Sequence, residues 1–433
     1  MRPLAWIALL LAPAVLAAET HQLPDSTAAD RTSVAVTVYN QNLALVREVR
    51  NLEIDKSGIG TLRFMDVPSS INPRTVHLQS LASGGPHVFE QNYEFDLISP
   101  EKLMEKYVGK EVEIIEQAQD LTTRTVKATL LSTNGAPVYK IGDRIVIGQY
   151  GKVTLPDLPK DLVARPTLVW TVDAPKTGTT AAEASYLTDN MSWSADYVAV
   201  VDENDTKTGL SGWVTIDNRS GATFENATLK LVAGDVRRIQ PDRLMAMEAA
   251  GMMRADMAAK APSFQEEGFF EYHLYTLDRP STIKNNQTKQ LSLLTASNVP
   301  VMKKLLLTGN RYWYRGQVGT ITQGEKVAVT LELTNSAANN LGMPLPKGTV
   351  RVYKKDKSGA QQFIGEDSID HTPRDEKVRV KMGEAFDVVA DKKQTAWTPL
   401  GDCSSESAWE ISLRNHKDSA ETIEIDEPAG GDW

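Results

Sequence analysis

Alternation of apolar and polar residues at every second position runs through most of this chain and constrains its fold more than any other feature. Three groups show it clearly: Val34, Val36 and Val38; Val327, Val329, Leu331 and Leu333; and Val378, Val380 and Met382. Successive strand residues point to opposite faces, so each group places its apolar side chains on one buried face. Turn signals at 56–58, 218–221, 323–324 and 357–359 separate such segments. The pattern predicts a mainly β protein made of antiparallel β-sandwich modules.

One helix is predicted near residue 100. Ser99 can cap its first turn, Pro100 suits the first helical position, and Gly109 can adopt the left-handed conformation that ends it. Five strand candidates follow closely, at 112–115, 126–131, 138–141, 144–147 and 152–155. This density predicts a small SH3-like or OB-like barrel at 101–158, inserted between larger sheet regions. A plain meander that continues the main sheet is the alternative.

The two ends of the chain and one internal segment differ from the strand pattern. Residues 1–18 combine Arg2, an apolar stretch of about 13 residues and small residues, which predicts a secretory signal peptide. Residues 236–262 are rich in Met and Ala and predict a short insertion that is either helical or poorly ordered. The remaining regions are a β-rich N-terminal region at 31–100, sandwich strands at 159–235 and a C-terminal β-sandwich at 263–433. No later segment of the sequence is apolar enough for a transmembrane helix.

Charge and cysteine content limit the partners and the cross-links. The formal net charge is −9, and charges of both signs are interspersed. A nucleic-acid partner needs a concentrated basic patch, so the sequence argues against one. Cys403 is the only cysteine, which rules out an intrachain disulfide and makes an unremarkable loop thiol the favoured interpretation over a catalytic nucleophile.

Several segments carry a resemblance to a known family. Residues 210–235 (LSGWVTIDNRSGATFENATLKLVAGD) and 268–277 (GFFEYHLYTL), together with 67–72, 90–94 and 285–289, resemble a family of exported bacterial proteins of unknown function. The C-terminal domain is similar to that of mucoidy-inhibitor-A-like proteins. The resemblance implies a β-rich extracytoplasmic protein and assigns no catalytic residue. Family members look to continue beyond 428–433, so the C-terminal sandwich is expected to be truncated.

Two acidic or histidine-containing segments offer candidate sites. Glu271 and His273 lie two apart, so on a strand they share a face that a base or a metal ligand would need. Phe269 and Tyr275 would share that face, and a buried strand with paired polar groups is the favoured interpretation. The acidic loop at 202–206 offers oxygens for calcium, but it lacks the spacing of a calcium loop and is read as a hairpin turn.

Two further segments offer binding chemistry. Tyr312 and Tyr314, on either side of Trp313, can form a platform for a sugar ring, although a core strand is favoured. The methionines of the insertion (Met245, Met247, Met252, Met253 and Met257) can bind copper(I), although the spacing fits no ligand pattern. No catalytic, cofactor or metal residue is assigned, and no cofactor is expected.

These observations favour a non-enzymatic binding or structural protein of the bacterial envelope, periplasmic or secreted, that engages an envelope protein or glycan. An envelope carbohydrate- or peptide-acting hydrolase with an acidic site is the alternative, and Met-rich copper binding is a second. A pocket with two carboxylates, one with its pKa raised by burial, would favour the hydrolase.

The C-terminal segment predicts a hairpin. Trp409, Ile411 and Leu413 alternate with polar residues, and so do Ile423 and Ile425. The connection runs through 415–420. Truncation predicts that both isoleucines are more exposed than Val329 and Leu331.

Overall fold

A computed structural model describes residues 20–117, 123–148, 151–159, 162–234, 236–237, 264–401 and 404–428. The predicted signal peptide at 1–18, the five methionines of the predicted insertion and Cys403 lie outside the described residues.

The described elements are one α-helix, α1 (Pro100–Lys106), four short 3₁₀ helices and 27 strands. The strands of the first half are β1 (His21–Gln22), β2 (Arg31–Tyr39), β3 (Leu43–Ile54), β4 (Gly58–Met65), β5 (His77–Ser80), β6 (His87–Glu94), β7 (Glu111–Gln117), β8 (Thr123–Ser132), β9 (Val138–Ile141), β10 (Arg144–Ile147), β11 (Lys152–Thr154), β12 (Thr167–Ala174), β13 (Gly178–Asp189), β14 (Met191–Val201) and β15 (Lys207–Asn218). Those of the second half are β16 (Phe224–Ala233), β17 (Phe264–Phe269), β18 (Tyr272–Leu277), β19 (Ser281–Ile283), β20 (Gln287–Pro300), β21 (Met302–Thr308), β22 (Thr320–Thr334), β23 (Gly348–Lys355), β24 (Gln361–Ile369), β25 (Lys377–Pro399), β26 (Ser405–Asn415) and β27 (Ile423–Asp426). The 3₁₀ helices are Ala28–Asp30, Pro73–Thr75, Arg311–Arg315 and Ala337–Asn339.

The predicted fold class is confirmed: the protein is mainly β, with sandwich-type sheets and a small half-barrel. The alternating residues lie in β2, β22 and β25, and Val36, Val38 and Val327 are fully buried. Burying one such side chain contributes about 1.5–3 kcal/mol. The predicted turn at 323–324 is wrong, because these residues lie inside β22, where its register with β25 shifts.

The chain divides into two compact units, and unit 1 comprises Met1–Val34, Val46–Thr188 and Ser220–Ala222. One of its sheets has the order β1–β4–β12–β6, and β3, β13 and β5 are neighbours in another. The first sheet combines strands from either side of residues 101–158. Phe64 and Trp170 pack edge to face in its core, with ring centroids 5.2 Å apart.

The half-barrel of unit 1 has the strand order β10–β9–β8–β7–β11, so every strand pairing it contains falls within residues 111–154. Its separate core holds the buried residues Tyr107, Val112, Ile114, Ala128, Leu130 and Tyr139. The helix is built as predicted: the Ser99 side chain accepts from the Lys102 backbone N–H, Pro100 opens α1, and Gly109 has φ of 82°.

A buried ionic network also lies in unit 1. Glu48 and Arg50 are fully buried and paired at 3.2 Å, and Arg31 donates to the same carboxylate at 2.6 Å. The Tyr186 hydroxyl donates to Glu48 at 2.9 Å, and burial raises the pKa of that phenol well above its usual value. The Arg50 guanidinium lies 3.5 Å from the Phe64 ring centroid. Charges removed from water need this degree of pairing, which makes the network structural.

Unit 2 comprises Ala35–Leu45, Asp189–Arg219 and Thr223–Trp433. Its sheets have the orders β17–β18–β16–β2, β20–β15–β14–β23–β24 and β26–β25–β22–β21–β27. Most pairs are antiparallel, but β2 with β16, β14 with β23, and β21 with β27 are parallel. One core cluster of the last sheet holds Leu305, Leu307, Val327, Val388 and Ala390.

The predicted C-terminal hairpin is wrong, although both of its strands exist. β26 pairs with β25, whereas β27 lies at the opposite edge of the sheet and runs parallel to β21, with Leu305 opposite Ile423. Ile425 is 42% exposed and Ile423 packs against the core cluster, while Leu331 is 7% exposed and Val329 is half-buried. The non-local pairing of β27 gives these two isoleucines different environments.

Candidate functional site

A cavity of about 190 Å³ opens within unit 2, between residues of two sheets. Its apolar lining consists of Val201, Val329, Leu331, Ile364 and Met382. These side chains come from β14, β22, β24 and β25, so the site depends on packing between distant parts of the sequence.

Glycine at position 365 allows two of these strands to approach closely. Gly365 has φ of 154°, and a Cβ there would overlap the Met382 carbonyl oxygen. The register of β23 with β24 also shifts at this point. The adjacent Ile364 and Met382 therefore form one wall of the cavity.

Three charged side chains complete the lining: Asp205, Lys303 and Glu384. Asp205 accepts from Lys303 at 3.0 Å and from Lys354 at 2.5 Å. Burial acts to raise the pKa of Asp205, but the hydrogen bonds from the two lysines outweigh it, and the pKa is below its usual value. A hydrogen bond from Lys326 lowers the pKa of Glu384. Both carboxylates are thus ionised and paired at neutral pH.

The size of the cavity limits its contents. Small-molecule sites usually enclose about 300–1,000 Å³, whereas an apolar cavity of about 150 Å³ holds benzene. The present cavity therefore has room for one aromatic or branched aliphatic group.

The predicted arrangement of Glu271 and His273 is wrong. Residues 264–277 form the β17–β18 hairpin rather than a single strand, and Glu271 lies in its turn. His273 instead contacts Glu266 on the facing strand, with Nδ1 and Oε1 2.8 Å apart. Phe270, at the tip, adopts φ of 59°, a conformation that sequence rules assign to Gly or Asn.

The hairpin turn predicted at 202–206 is confirmed. It joins the antiparallel strands β14 and β15. The Asp202 carboxylate accepts from the backbone N–H groups of Thr206 and Lys207 at 2.8 and 3.1 Å, while Asp205 bonds the two lysines. These carboxylate oxygens serve the turn and its ion pairs.

The aromatic triplet is not the predicted core strand, because it lies in the 3₁₀ helix Arg311–Arg315. Tyr312 is 56% exposed, whereas Trp313 and Tyr314 are half-buried. The latter two face the ammonium group of Lys392, which lies 4.6 and 5.1 Å from their ring centroids. The alternative of a two-tyrosine platform gains no support, since Trp313 and Tyr314 instead belong to a lysine-centred cluster.

The acidic site of the alternative hydrolase function gains no support. Among the residues that the structure describes, every carboxyl whose pKa departs clearly from its usual value has a lowered one. A general acid needs a raised pKa. Within the same described ranges, no three His, Cys, Asp or Glu side chains are grouped so that they could hold a metal ion.

The cavity and the lysine cluster are what sequence reasoning missed. The cavity lining is spread over positions 201–384 and the lysine cluster over 313–427, so no local spacing in the sequence indicates either one. The only local signal was the aromatic triplet itself.

No family model, curated protein or solved structure matches the chain. The described part of the chain contains no helix with the length and apolar character needed to cross a bilayer.

Proposed function

We propose that this protein is an exported, non-enzymatic binding component of the bacterial envelope, and that the cavity of unit 2 receives an apolar side chain of a partner protein. The observation that carries the proposal is the cavity itself: apolar walls, paired charges in its lining, and space for one side chain.

Three features support export and a binding role. Residues 1–18 have the composition of a signal peptide, and the strand-rich chain resembles an exported bacterial family in the segments quoted above. The charges beside the cavity are neutralised in pairs, which suits a docking surface better than a reacting centre.

Protein interfaces commonly depend on one buried anchor in such a pocket, and loss of an anchor costs about 2 kcal/mol or more. The size of the cavity favours this mode over capture of a glycan or a larger peptide segment. The partner is therefore expected to be a protein that presents an exposed aromatic or branched aliphatic residue.

Affinity capture from envelope extracts tests the proposal with two matched variants. Ile364→Trp places a larger side chain in the wall of the cavity. Phe363→Trp makes a similar change at the preceding residue, which is 55% exposed and contacts Tyr353 outside the cavity. The wild type and Phe363→Trp should retain one reproducible partner, and Ile364→Trp should bind that purified partner roughly 30-fold more weakly.

Thermal unfolding of both variants shows whether each one is folded. Equal binding by Ile364→Trp and Phe363→Trp would remove the cavity from the proposal. Recovery of no reproducible partner by the wild type would remove the binding role.

A further inference from the structure

Lys392 is a buried cation in the interior strand β25 of its sheet. Its side chain is 1% exposed, and its ammonium group lies 4.6 to 5.1 Å from the ring centroids of Trp313, Tyr314 and Trp409. Three aromatic faces favour a cation but supply no hydrogen-bond acceptor for it. The hydrogen bonds of the Lys392 ammonium must therefore come from polar side chains.

Those partners are a carboxylate and a phenol. Lys392 Nζ bonds Glu427 Oε2 and lies 3.2 Å from the Tyr314 hydroxyl. The same hydroxyl donates to Glu427 Oε2 at 2.6 Å, so amine, phenol and carboxylate form a closed triangle. Burial, followed by the neighbouring Glu427, raises the pKa of Tyr314, which keeps its hydroxyl protonated.

The fold prepares a place for the Glu427 carboxylate. A Cβ at Gly309 would overlap that group, so the absence of a side chain there makes the room. The Gly309 backbone N–H donates to the Asp426 carbonyl at 2.8 Å, which fixes the chain just before Glu427.

As an ion pair the arrangement is incomplete. Glu427 Oε1 is buried and accepts no hydrogen bond from any described residue. The unsatisfied buried oxygen carries a desolvation cost that the two hydrogen bonds to Oε2 do not offset. Amide formation from such a pair requires that a proton first pass from the ammonium to the carboxylate. The products of that transfer are a neutral amine and a neutral acid in contact.

We propose that Lys392 and Glu427 condense to an intramolecular amide cross-link. The Nζ lone pair attacks Glu427 Cδ, so that an Nζ–Cδ bond forms and the Cδ–Oε2 bond breaks. Two protons leave the original ammonium, pass by way of the Tyr314 hydroxyl to Oε2, and depart with it as one water molecule. The opposite charges of the two groups cancel, and the step needs no oxidant or reductant.

Position and surroundings favour this step. Two groups held in contact react with effective concentrations far above those reached in solution. The aromatic rings exclude water from the amide, while the half-buried Glu427 leaves a path for the departing water. The bond would tie the interior strand β25 to the segment after the edge strand β27, in a chain whose only cysteine allows no intrachain disulfide.

Mass spectrometry of the denatured, full-length purified protein tests the proposal. The wild type should be lighter by one water than its composition requires. Its protease digest should contain a branched peptide that joins the segments around Lys392 and Glu427. The exposed pair Lys326–Glu384, 2.8 Å apart, is the internal control and should give separate peptides.

Variants distinguish an ion pair between Lys392 and Glu427 from a covalent amide between them. Lys392→Arg keeps a cation but lacks the amine nucleophile, and Glu427→Ala removes the electrophile, so both should show the full mass. Tyr314→Phe keeps the ring but removes the proton relay and should lower the cross-linked fraction. A folded wild-type protein of full mass, with the Lys392 and Glu427 peptides released separately, would overturn the proposal, and this readout does not depend on any variant folding.

Discussion

Glu48 shows how strongly one buried charge can hold a sheet together. Glu48→Gln would leave the buried side chains of Arg31 and Arg50 as neighbouring like charges without their counterion. Removing one member of a buried ionic group typically costs about 3–5 kcal/mol. Chemical denaturation of Glu48→Gln should therefore show a free energy of unfolding lower than that of the wild type by this amount. Glu183→Gln breaks only the surface pair with Arg47 and should cost at most about 1 kcal/mol. Similar losses in the two variants would contradict the structural role of the network.

Glu332 makes the stability of unit 2 dependent on pH. Hydrogen bonds from Arg379 and Lys377 lower its pKa to about 2 from 4.5. A lowered folded pKa contributes stability that is complete above the unfolded value and is lost as pH falls toward the folded value.

Glu332→Gln should therefore lower the free energy of unfolding by about 1–2 kcal/mol at neutral pH. This value is smaller than the pKa change alone implies, because solvent screens the cationic partners of Glu332. The difference from the wild type should shrink as pH falls below 4.5 and disappear near 2. Unfolding measured across this range provides the check. A difference that stays constant with pH would show that Glu332 acts through packing instead of charge.

At the scale of elements, the β17–β18 hairpin carries local strain at its tip. Phe270 is 89% exposed and holds a left-handed backbone, which costs a residue with a Cβ about 1–2 kcal/mol. Phe270→Gly should therefore stabilise the protein by about 0.5–1 kcal/mol, because the greater freedom of glycine in the unfolded chain offsets part of the gain. Phe386 is 94% exposed within β25, where glycine is unfavourable, so Phe386→Gly should destabilise it. Thermal unfolding of the two variants should give shifts of opposite sign.

The same hairpin shows where sequence reasoning succeeds and where it stops. Strands with one buried face were predictable because alternation is a local property, as in β2 and β22, and α1 was predictable from its cap and its terminal glycine. The turn at Phe270 was missed because tertiary pairing of β17 with β18 overrides a local preference. β27 was assigned the wrong neighbour because sequence proximity favoured β26, whereas the sheet places it beside β21. Neither the cavity nor the contact of Lys392 with Glu427 has any local signature.

At the scale of the whole molecule, the half-barrel has a core of its own. Ile114 is fully buried among Tyr107, Leu130 and Tyr139. Ile114→Ala should remove about 2–4 kcal/mol from this core. Hydrogen exchange should show loss of protection in β7 to β11 and unchanged protection in β22 and β25. Val327→Ala, in the unit 2 core, should lower protection in β22 and β25 and leave it unchanged in β7 to β11. Loss of protection throughout the chain in either variant would show that the two cores open together.

The parallel pairing of β2 with β16 has a consequence for the time course of folding. Ala35 pairs with Thr228 and Tyr39 with Val232. The pairing of β2 with β16 therefore forms only when a segment from the second half of the chain reaches β2. Sheets closed by such distant segments fold slowly, in milliseconds to seconds, since the entropy of closing the loop is lost before the contacts form. During that interval the edge of β2 that β16 will cover is open to other chains. Rapid dilution at low protein concentration should therefore give a higher refolding yield than dialysis of a concentrated sample.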